Sequence, residues 1–355
     1  ATSPSARHRR HQWVGELLSA AGNLAKGGVL VRRLAAFEAM ASVDTVMFDK
    51  TGTLTRDAMV LASIQVRDGV PTEYALDMAA ALARYSLHPV SKALVAASSA
   101  ERANRWHADL VKEVAGRGVS GKVWQGDLKN KDSESASDAS LGSAKFCGVD
   151  ATKTETLRTF LRDEQGWLAT FEFHEDVRSD ALSTVQALQK DGIEVLLVSG
   201  DSAQAVSRVA AQVGITAFLG GCTPQDKLAF LQDAQKRGKK IAVVGDGLND
   251  GPVLAGAHVS FAFGRAVPLA QAQSDFVVLG EELSLVAKTL SLAKRTMCVV
   301  KQNLWWAAGY NGLCVPLAVM GLLPAWLAGL GMALSSLFVV LNALRLAKSK
   351  SLQEI

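Results

Sequence analysis

DTVMFDKTGTLT, residues Asp44 to Thr55, is the stretch on which the reading of this chain turns. An apolar run, Val46 to Phe48 with Thr45 leading in, ends on a carboxylate, Asp49, and passes at once into a lysine, three threonines and a glycine. A strand that finishes on an acid and then breaks into small hydroxyl residues and free backbone N–H groups suits nucleophilic attack on a phosphoryl group.

Outward from Asp49 the pattern is α/β. Short apolar runs at 45–48, 193–198, 240–245, 259–263 and 275–279 alternate with amphipathic segments such as 179–190 and 225–236. That alternation predicts a parallel sheet with helices on both faces, whose ligands gather at the carboxyl ends of the strands. The groups expected there are Asp49, then SGD (Ser199, Gly200, Asp201), then GDGLNDGP at 245–252. Phosphoryl transfer needs a divalent cation, donors for the equatorial oxygens and a fixed positive charge. Asp246 and Asp250 offer hard oxygens for magnesium, Ser199 and the Gly200 N–H offer donors, and Lys227 in TPQDK offers the cation. Each loop alone could be an ordinary turn, since Asp and Gly favour turns; the ordered set argues for a site.

Taken together, DKTGTLT, SGD, PQDK and GDGLND resemble the phosphorylation domain of P-type ATPases, within the haloacid dehalogenase superfold, and the likeness extends from about Gly27 to Leu346. It implies an aspartyl phosphate on Asp49 formed from ATP, with Asp49, the Thr51 carbonyl and Asp246 as Mg2+ ligands. It also places Ser199, Gly200, Asp201, Lys227, Asn249 and Asp250 around the phosphate. Soluble phosphatases of the same superfamily usually carry a second Asp two residues after the nucleophile, where this chain has Thr51. Without a carboxylate there the acyl phosphate is expected to last, which suits coupling to motion.

Residues 57–175 have a different texture and are expected to be an inserted α+β nucleotide-binding domain within a phosphorylation domain of 45–56 plus 176–281. The insert should hold an apolar strand (59–66), two Ala-rich helices (72–84 and 91–104) and a strand-and-turn region around GRGVSGKV (116–123). Residues 126–140, with almost no apolar side chains, read as a solvated loop. SLHPVSKAL (86–94) resembles the His-Pro motif of heavy-metal-transporting P-type ATPases, which implies that His88 and Pro89 meet the adenine. GRGV resembles the glycine pair, Gly116 and Gly118, behind which the nucleotide lies. The chain departs from the family's form at Leu87, usually Glu, and at Ser143, where GS at 142–143 replaces GN. EDVRSDA (175–181) resembles the hinge where the chain re-enters the first domain.

The composition fits such a protein: 355 residues, 49% hydrophobic and 20% charged, with a net charge of +4 from 38 basic and 34 acidic residues. That balance gives no argument for nucleic acid as a partner. Cys147, Cys222, Cys298 and Cys314 form no CxxC and no metal cluster. The tail carries two uncharged runs of helix-spanning length, Leu304 to Leu323 and Ala325 to Leu344, flanked by Lys294, Arg295 and Lys301 before and Arg345, Lys348 and Lys350 after. They predict two transmembrane helices over 303–346 behind a stalk at 282–302, with a short tail at 347–355. The flanking charges put both ends, and the nucleotide and phosphorylation domains, on the cytoplasmic side of a cell membrane.

Polar and sulfur groups at membrane depth mark pathways, and thioethers favour Cu(I). YN (Tyr310, Asn311) followed by MALSS (Met332, Ser335, Ser336) resembles the paired signatures of monovalent copper pumps. The zinc, cadmium and lead branch carries a Lys and an Asp in these helices, and neither is present. The resemblance implies Cu(I), or Ag(I) as surrogate, as cargo, membrane lipid as surroundings and a copper chaperone as partner. The Leu-His-Pro variant leans toward the branch that supplies copper for cytochrome oxidase assembly. Residues 20–40 look like the stalk after a sixth helix, whereas 1–19 match the family poorly. The expectation is a C-terminal portion without the actuator domain and first six helices, able to handle ATP but not to transport alone. A membrane-anchored phosphatase and a nucleotide-binding remnant remain alternatives.

Overall fold

The strand Thr45–Phe48 is buried along its whole length and runs parallel to a neighbour on each side, Ile241–Gly245 and Glu194–Val198. The computed structural model describes residues 17–99, 101, 104–126, 136–150, 156–246, 250–263, 268–322 and 324–347. Around that strand the sheet runs in the order Val29–Val31, Phe276–Val278, Val259–Ala262, Ile241–Gly245, Thr45–Phe48, Glu194–Val198, Ala217–Leu219. Among the described residues of this sheet the Val29–Val31 edge pairs antiparallel and the other neighbours pair parallel. Strands covered on both faces read as continuous apolar runs, which is why five of them stand out in the sequence. Met47, Leu196, Val198 and Val243 pack on one face against Leu231 and Val253 from helices. Phe276, stacked on Phe261 and edge-on to Phe37, joins the neighbouring strands to the short helix Ala36–Ala41.

Two compact units divide the chain, residues 1–54 with 178–355 and residues 55–177. The second unit is a six-stranded antiparallel sheet in the order Thr55–Val66, Gly166–Val177, Leu157–Asp163, Ser137–Gly142, Gly118–Gln125, Trp106–Val114. Helices Thr72–Ala83 and Pro89–Ala97 cover it with a core of Ala75, Met78, Ala79, Leu82 and Leu94. The second helix ends earlier than the expected 104, because Ser98 turns extended and its hydroxyl donates to Asp77 at 2.6 Å.

Two further sequence expectations need correction. The polar stretch expected to be a loop over 126–140 becomes a strand at Ser137, where Ala139 and Leu141 turn inward. One alanine and one leucine among serines and an acid are too weak a period-2 signal to show this; residues 127–135 lie outside the described set. The second concerns the tail: among the described residues no helix is long and apolar enough to cross a membrane. The expected stalk and first span are one continuous 36-residue helix, Ser284–Val319, stopping short of Leu323 at a turn with Gly321 at φ +74°. Its later half is diluted by Gln302, Asn303, Tyr310, Asn311 and Pro316. The second run forms the helix Ala325–Ala347, tied back by Asn342 donating to Asn303 at 2.8 Å.

Candidate active site

Asp49 follows the last residue of the central strand, its amide donating to the Val244 carbonyl at 3.0 Å. Asp246 follows the next strand, and Asp250 stands at the N-cap of Gly251–Gly256. Carboxylate oxygens of these three residues lie within 4.8 Å of one another. Into the cluster reaches Lys227, from the first turn of Pro224–Lys236, a helix fixed by a capping box between Thr223 and Asp226 and by Pro224 in its first turn. The Lys227 ammonium donates to Asp49 Oδ1 at 2.6 Å and to Asp250 Oδ1 at 2.9 Å.

Two carboxylates, Asp49 and Asp250, share this lysine with Asp246 close by, and the charge states follow. Burial first, and the Asp250 carboxylate second, push the Asp49 carboxyl up to about 6, although Lys227 pulls it down. Burial alone would lower the Lys227 ammonium; Asp49 and Asp250 outweigh it and hold Lys227 above its ordinary value. The two shifts agree on one picture: a buried site with more negative charge than its single ammonium neutralises. Hard oxygens with a surplus of negative charge fit magnesium. Gly52 adds to the fit, because at φ +70° a Cβ there would lie 2.7 Å from Asp246 Oδ2. Only glycine lets the loop pass that close.

Beside the cluster, Asp201 gathers the phosphate-side groups. Its Oδ2 pairs with the buried Lys50 ammonium at 2.8 Å and accepts the Thr51 hydroxyl at 3.1 Å and the Ser199 hydroxyl at 3.2 Å. Burial would raise the Asp201 carboxyl, but Lys50, with Thr51 and Ser199, holds it below its usual range. The structure thus brings Asp49, Asp246, Asp250 and Lys227 together and sets Thr51, Ser199 and Asp201 beside them. Asn249 lies outside the described residues. Sequence reasoning missed Lys50, whose burial was not legible, and Arg178, which donates to the carbonyls of Thr53 and Gly52 at 2.7 and 3.1 Å.

In the 55–177 unit, His88, Gly116 and Gly118 line a cavity of about 230 Å³ with Ser86, Glu113 and Gly142. His88 caps Pro89–Ala97, its Nδ1 accepting from the Val90 N–H at 3.3 Å. That assigns the ring proton to Nε2. Pro89 occupies the first turn, where its missing N–H costs nothing. The Ser86 hydroxyl donates to Glu113 at 2.6 Å, an acid supplied by the strand Trp106–Val114 rather than by position 87 in the loop before His88. Gly118 and Gly142 press together: a Cβ on Gly118 would meet the Leu141 carbonyl at 2.3 Å, and one on Gly142 would meet the Arg117 carbonyl at 2.3 Å. Gly116, at φ +70°, needs its glycine for conformation alone.

Tyr310 is half-buried, its hydroxyl 2.7 Å from where a Cβ on Gly331 would stand. Ser335 accepts the Trp306 indole N–H at 3.2 Å. Asn311, Met332 and Ser336 are exposed.

The family model described as haloacid dehalogenase-like hydrolase matches residues 43–258. The chain is 35% identical over 340 residues to Cation-transporting P-type ATPase B of Mycobacterium tuberculosis, covering 93% of this chain and 44% of that protein. It is 34% identical over 331 residues to the Copper-exporting P-type ATPase of Mycobacterium leprae, covering 93% of this chain and 42% of the relative. It is also 36% identical over 332 residues to the Nitrogen fixation protein FixI of Rhizobium leguminosarum, covering 92% and 41%. The chain therefore spans less than half the length of these relatives. A zinc-transporting PIB-type ATPase superposes with a TM-score of 0.82 at 23% identity, covering 94% of this chain and 55% of that one, a likeness of fold alone.

Proposed function

The chain belongs to the haloacid dehalogenase-like hydrolase family, and from that premise we propose that it is the catalytic portion of an ATP-driven cation pump that works through an aspartyl phosphate on Asp49. One observation carries the reading: Asp49 directly follows the central strand with Lys227 at 2.6 Å and the oxygens of Asp246 and Asp250 within 4.8 Å. In the proposed step an Asp49 oxygen attacks the γ-phosphorus of ATP in line. The bond to the bridging oxygen breaks, and ADP leaves with its electron pair. Lys227 sets a positive charge against the transferring group, and the Thr51 and Ser199 hydroxyls, now turned to Asp201, are donors for its oxygens. Magnesium, held by Asp49 and Asp246 with the Thr51 carbonyl and Asp250 at hand, would neutralise phosphate charge.

The 55–177 unit is the proposed nucleotide site, with the adenine against His88 and close to Gly118 and Gly142. The Nε2 proton, opposite the capping nitrogen, is the donor that His88 offers a purine. A phosphatase is the second reading, because the family includes hydrolases. Thr51, in place of a carboxylate, argues against it by withholding a general base from the acyl phosphate.

For cargo we propose Cu(I), with Ag(I) as surrogate. Relatives named as copper-exporting ATPases support this at 33–34% identity. So does a tail that offers Tyr310, Asn311, Met332, Ser335 and Ser336 but no Lys, Asp or Glu between 304 and 344. Trp305, Leu313, Val319 and Trp326 expose 65–82% of their surface. Apolar side chains this exposed call for lipid or further helices around the hairpin, so the proposed setting is a cell membrane with both catalytic units cytoplasmic. A copper chaperone would be the donor. Incubation with γ-labelled ATP and magnesium, followed by acid quench, should give a hydroxylamine-sensitive label that Asp49→Asn abolishes. Turnover of small phosphate esters without such a label would establish the phosphatase instead. Stimulation by Zn(II) and not Cu(I) would overturn the cargo while leaving the phosphoryl chemistry standing.

A further inference from the structure

Arg178 and Asp180 tie the loop behind Asp49 to the start of the 36-residue helix, and the chemistry above uses neither. The Arg178 backbone N–H donates to the Leu54 carbonyl at 3.0 Å. Its guanidinium donates to three more main-chain oxygens: Nε to Thr53 at 2.7 Å, Nη2 to Gly52 at 3.1 Å and Nη1 to Glu281 at 3.0 Å. The charged fork lies 4.7 Å from the centre of the Phe263 ring, and the residue is 6% exposed. Asp180 stands at the N-cap of Ala181–Lys190 yet gives that helix no side-chain cap. Its Oδ2 accepts instead from the Ser284 N–H at 2.9 Å, capping Ser284–Val319, whose own N-cap residue is Leu283. One short segment therefore holds Gly52, Thr53 and Leu54 with one hand and Glu281 and Ser284 with the other.

We propose that Arg178, with Asp180 as its second hold, is a positioning residue that transmits the phosphorylation state of Asp49 to the first turn of Ser284–Val319. The inference rests on the reading of Asp49 as phosphoryl acceptor. A phosphoryl group there brings oxygens that compete for the Thr51 and Ser199 hydroxyls, both now given to Asp201. When Thr51 turns, its neighbour Gly52 and the Gly52 and Thr53 carbonyls turn with it. A buried, planar guanidinium bonded to both carbonyls cannot stay behind, and its third bond passes the displacement to Glu281. Lysine carries one nitrogen and cannot bridge the loop carbonyls and Glu281 together.

The test is hydrogen–deuterium exchange on the whole chain with magnesium, with and without beryllium fluoride, which caps an aspartate as a phosphoryl mimic. In the unsubstituted protein beryllium fluoride should change exchange both at 46–54 and at 279–290. In Arg178→Lys the response at 46–54 should persist while that at 279–290 falls at least about threefold, and Asp180→Ala should do the same without touching the loop. Asp180→Ala keeps the question open to measurement if the arginine variant does not fold. Equal responses at 279–290 in variant and unsubstituted protein, with only the basal exchange raised, would reduce both residues to scaffolding and overturn the proposal. So would a response confined to 46–54 in the unsubstituted protein, which leaves Asp49 as acceptor. No response at 46–54 would instead remove the acceptor reading and this inference with it.

Discussion

Lys227 neutralises two carboxylates with one ammonium, donating to Asp49 at 2.6 Å and to Asp250 at 2.9 Å from a buried position. Removing the charge while keeping the packing leaves two buried anions facing each other. Lys227→Met should therefore destabilise the metal-free protein by about 3 kcal/mol, the usual cost of breaking a buried pair. It should also cut acid-stable labelling by about 100-fold or more, the scale of one lost electrostatic contact to a transition state. Magnesium should restore more stability to the variant than to the unsubstituted protein, because a cation then replaces the missing ammonium. Urea denaturation with and without magnesium reads this difference.

The Asp49 carboxyl gives a pH signature with a definite sign. Its value is raised from 3.8 to about 6 in the folded protein, burial being the first cause and Asp250 the second. A raised folded value means that the neutral form is favoured by folding. The contribution is fully present below 3.8 and is lost as pH rises through about 6. In EDTA the stability of the unsubstituted protein should thus fall relative to Asp49→Asn between pH 4 and pH 7, by on the order of 2–3 kcal/mol. Magnesium should shrink the gap at the neutral end. A gap that widened toward acid would show that Asp49 is stabilised as an anion.

The acids and the lysine of this site were legible in the sequence because parallel strands deliver their loops to one edge, whatever the distance along the chain. Strand periodicity and loop chemistry place Asp49, Asp246 and Asp250 there, and the need of phosphoryl transfer for a fixed cation points to Lys227. Lys50, Arg178, Glu113 and Gly142 could not be placed this way. Each earns its place through a long-range contact: Lys50 with Asp201, Arg178 with Gly52 and Thr53, Glu113 with Ser86, Gly142 with the Arg117 carbonyl. No local pattern encodes such contacts. The continuity of Ser284–Val319 was hidden for a related reason. Charge composition separates a stalk from an apolar run, but the backbone hydrogen bonds of a helix pass through that change unbroken.

Gly52 gives the most local prediction. A methyl group at this position would press on Asp246 Oδ2 at 2.7 Å, and φ +70° is a conformation that alanine resists. Gly52→Ala should cost about 1–2 kcal/mol of stability from backbone strain. Its sharper effect should fall on magnesium: displacement of Asp246 should raise the concentration needed for half-maximal labelling by about tenfold, one lost ligand's worth of alignment. Titrating magnesium against label incorporation measures this. An unchanged midpoint would place Asp246 outside the metal's coordination.

His88 has two jobs that one substitution can separate. Its Nδ1 accepts from the Val90 N–H and caps Pro89–Ala97, while Nε2 carries the proton, and His88 lines the cavity with Ser86, Glu113 and Gly118. Asparagine keeps a capping oxygen at the length of Nδ1 but ends before the position of Nε2. His88→Asn should therefore leave the unfolding temperature within about 2 °C of the unsubstituted protein, because the cap is kept. Nucleotide affinity should nonetheless fall by about 1–2 kcal/mol, one hydrogen bond with its packing. His88→Ala should lose both, with a further drop in stability of about 1 kcal/mol from the missing cap. Calorimetric titration with ATP beside thermal unfolding reads the two effects independently. Equal ATP affinity in all three proteins would move the adenine away from His88, and equal stability of the Asn and Ala variants would remove its capping role.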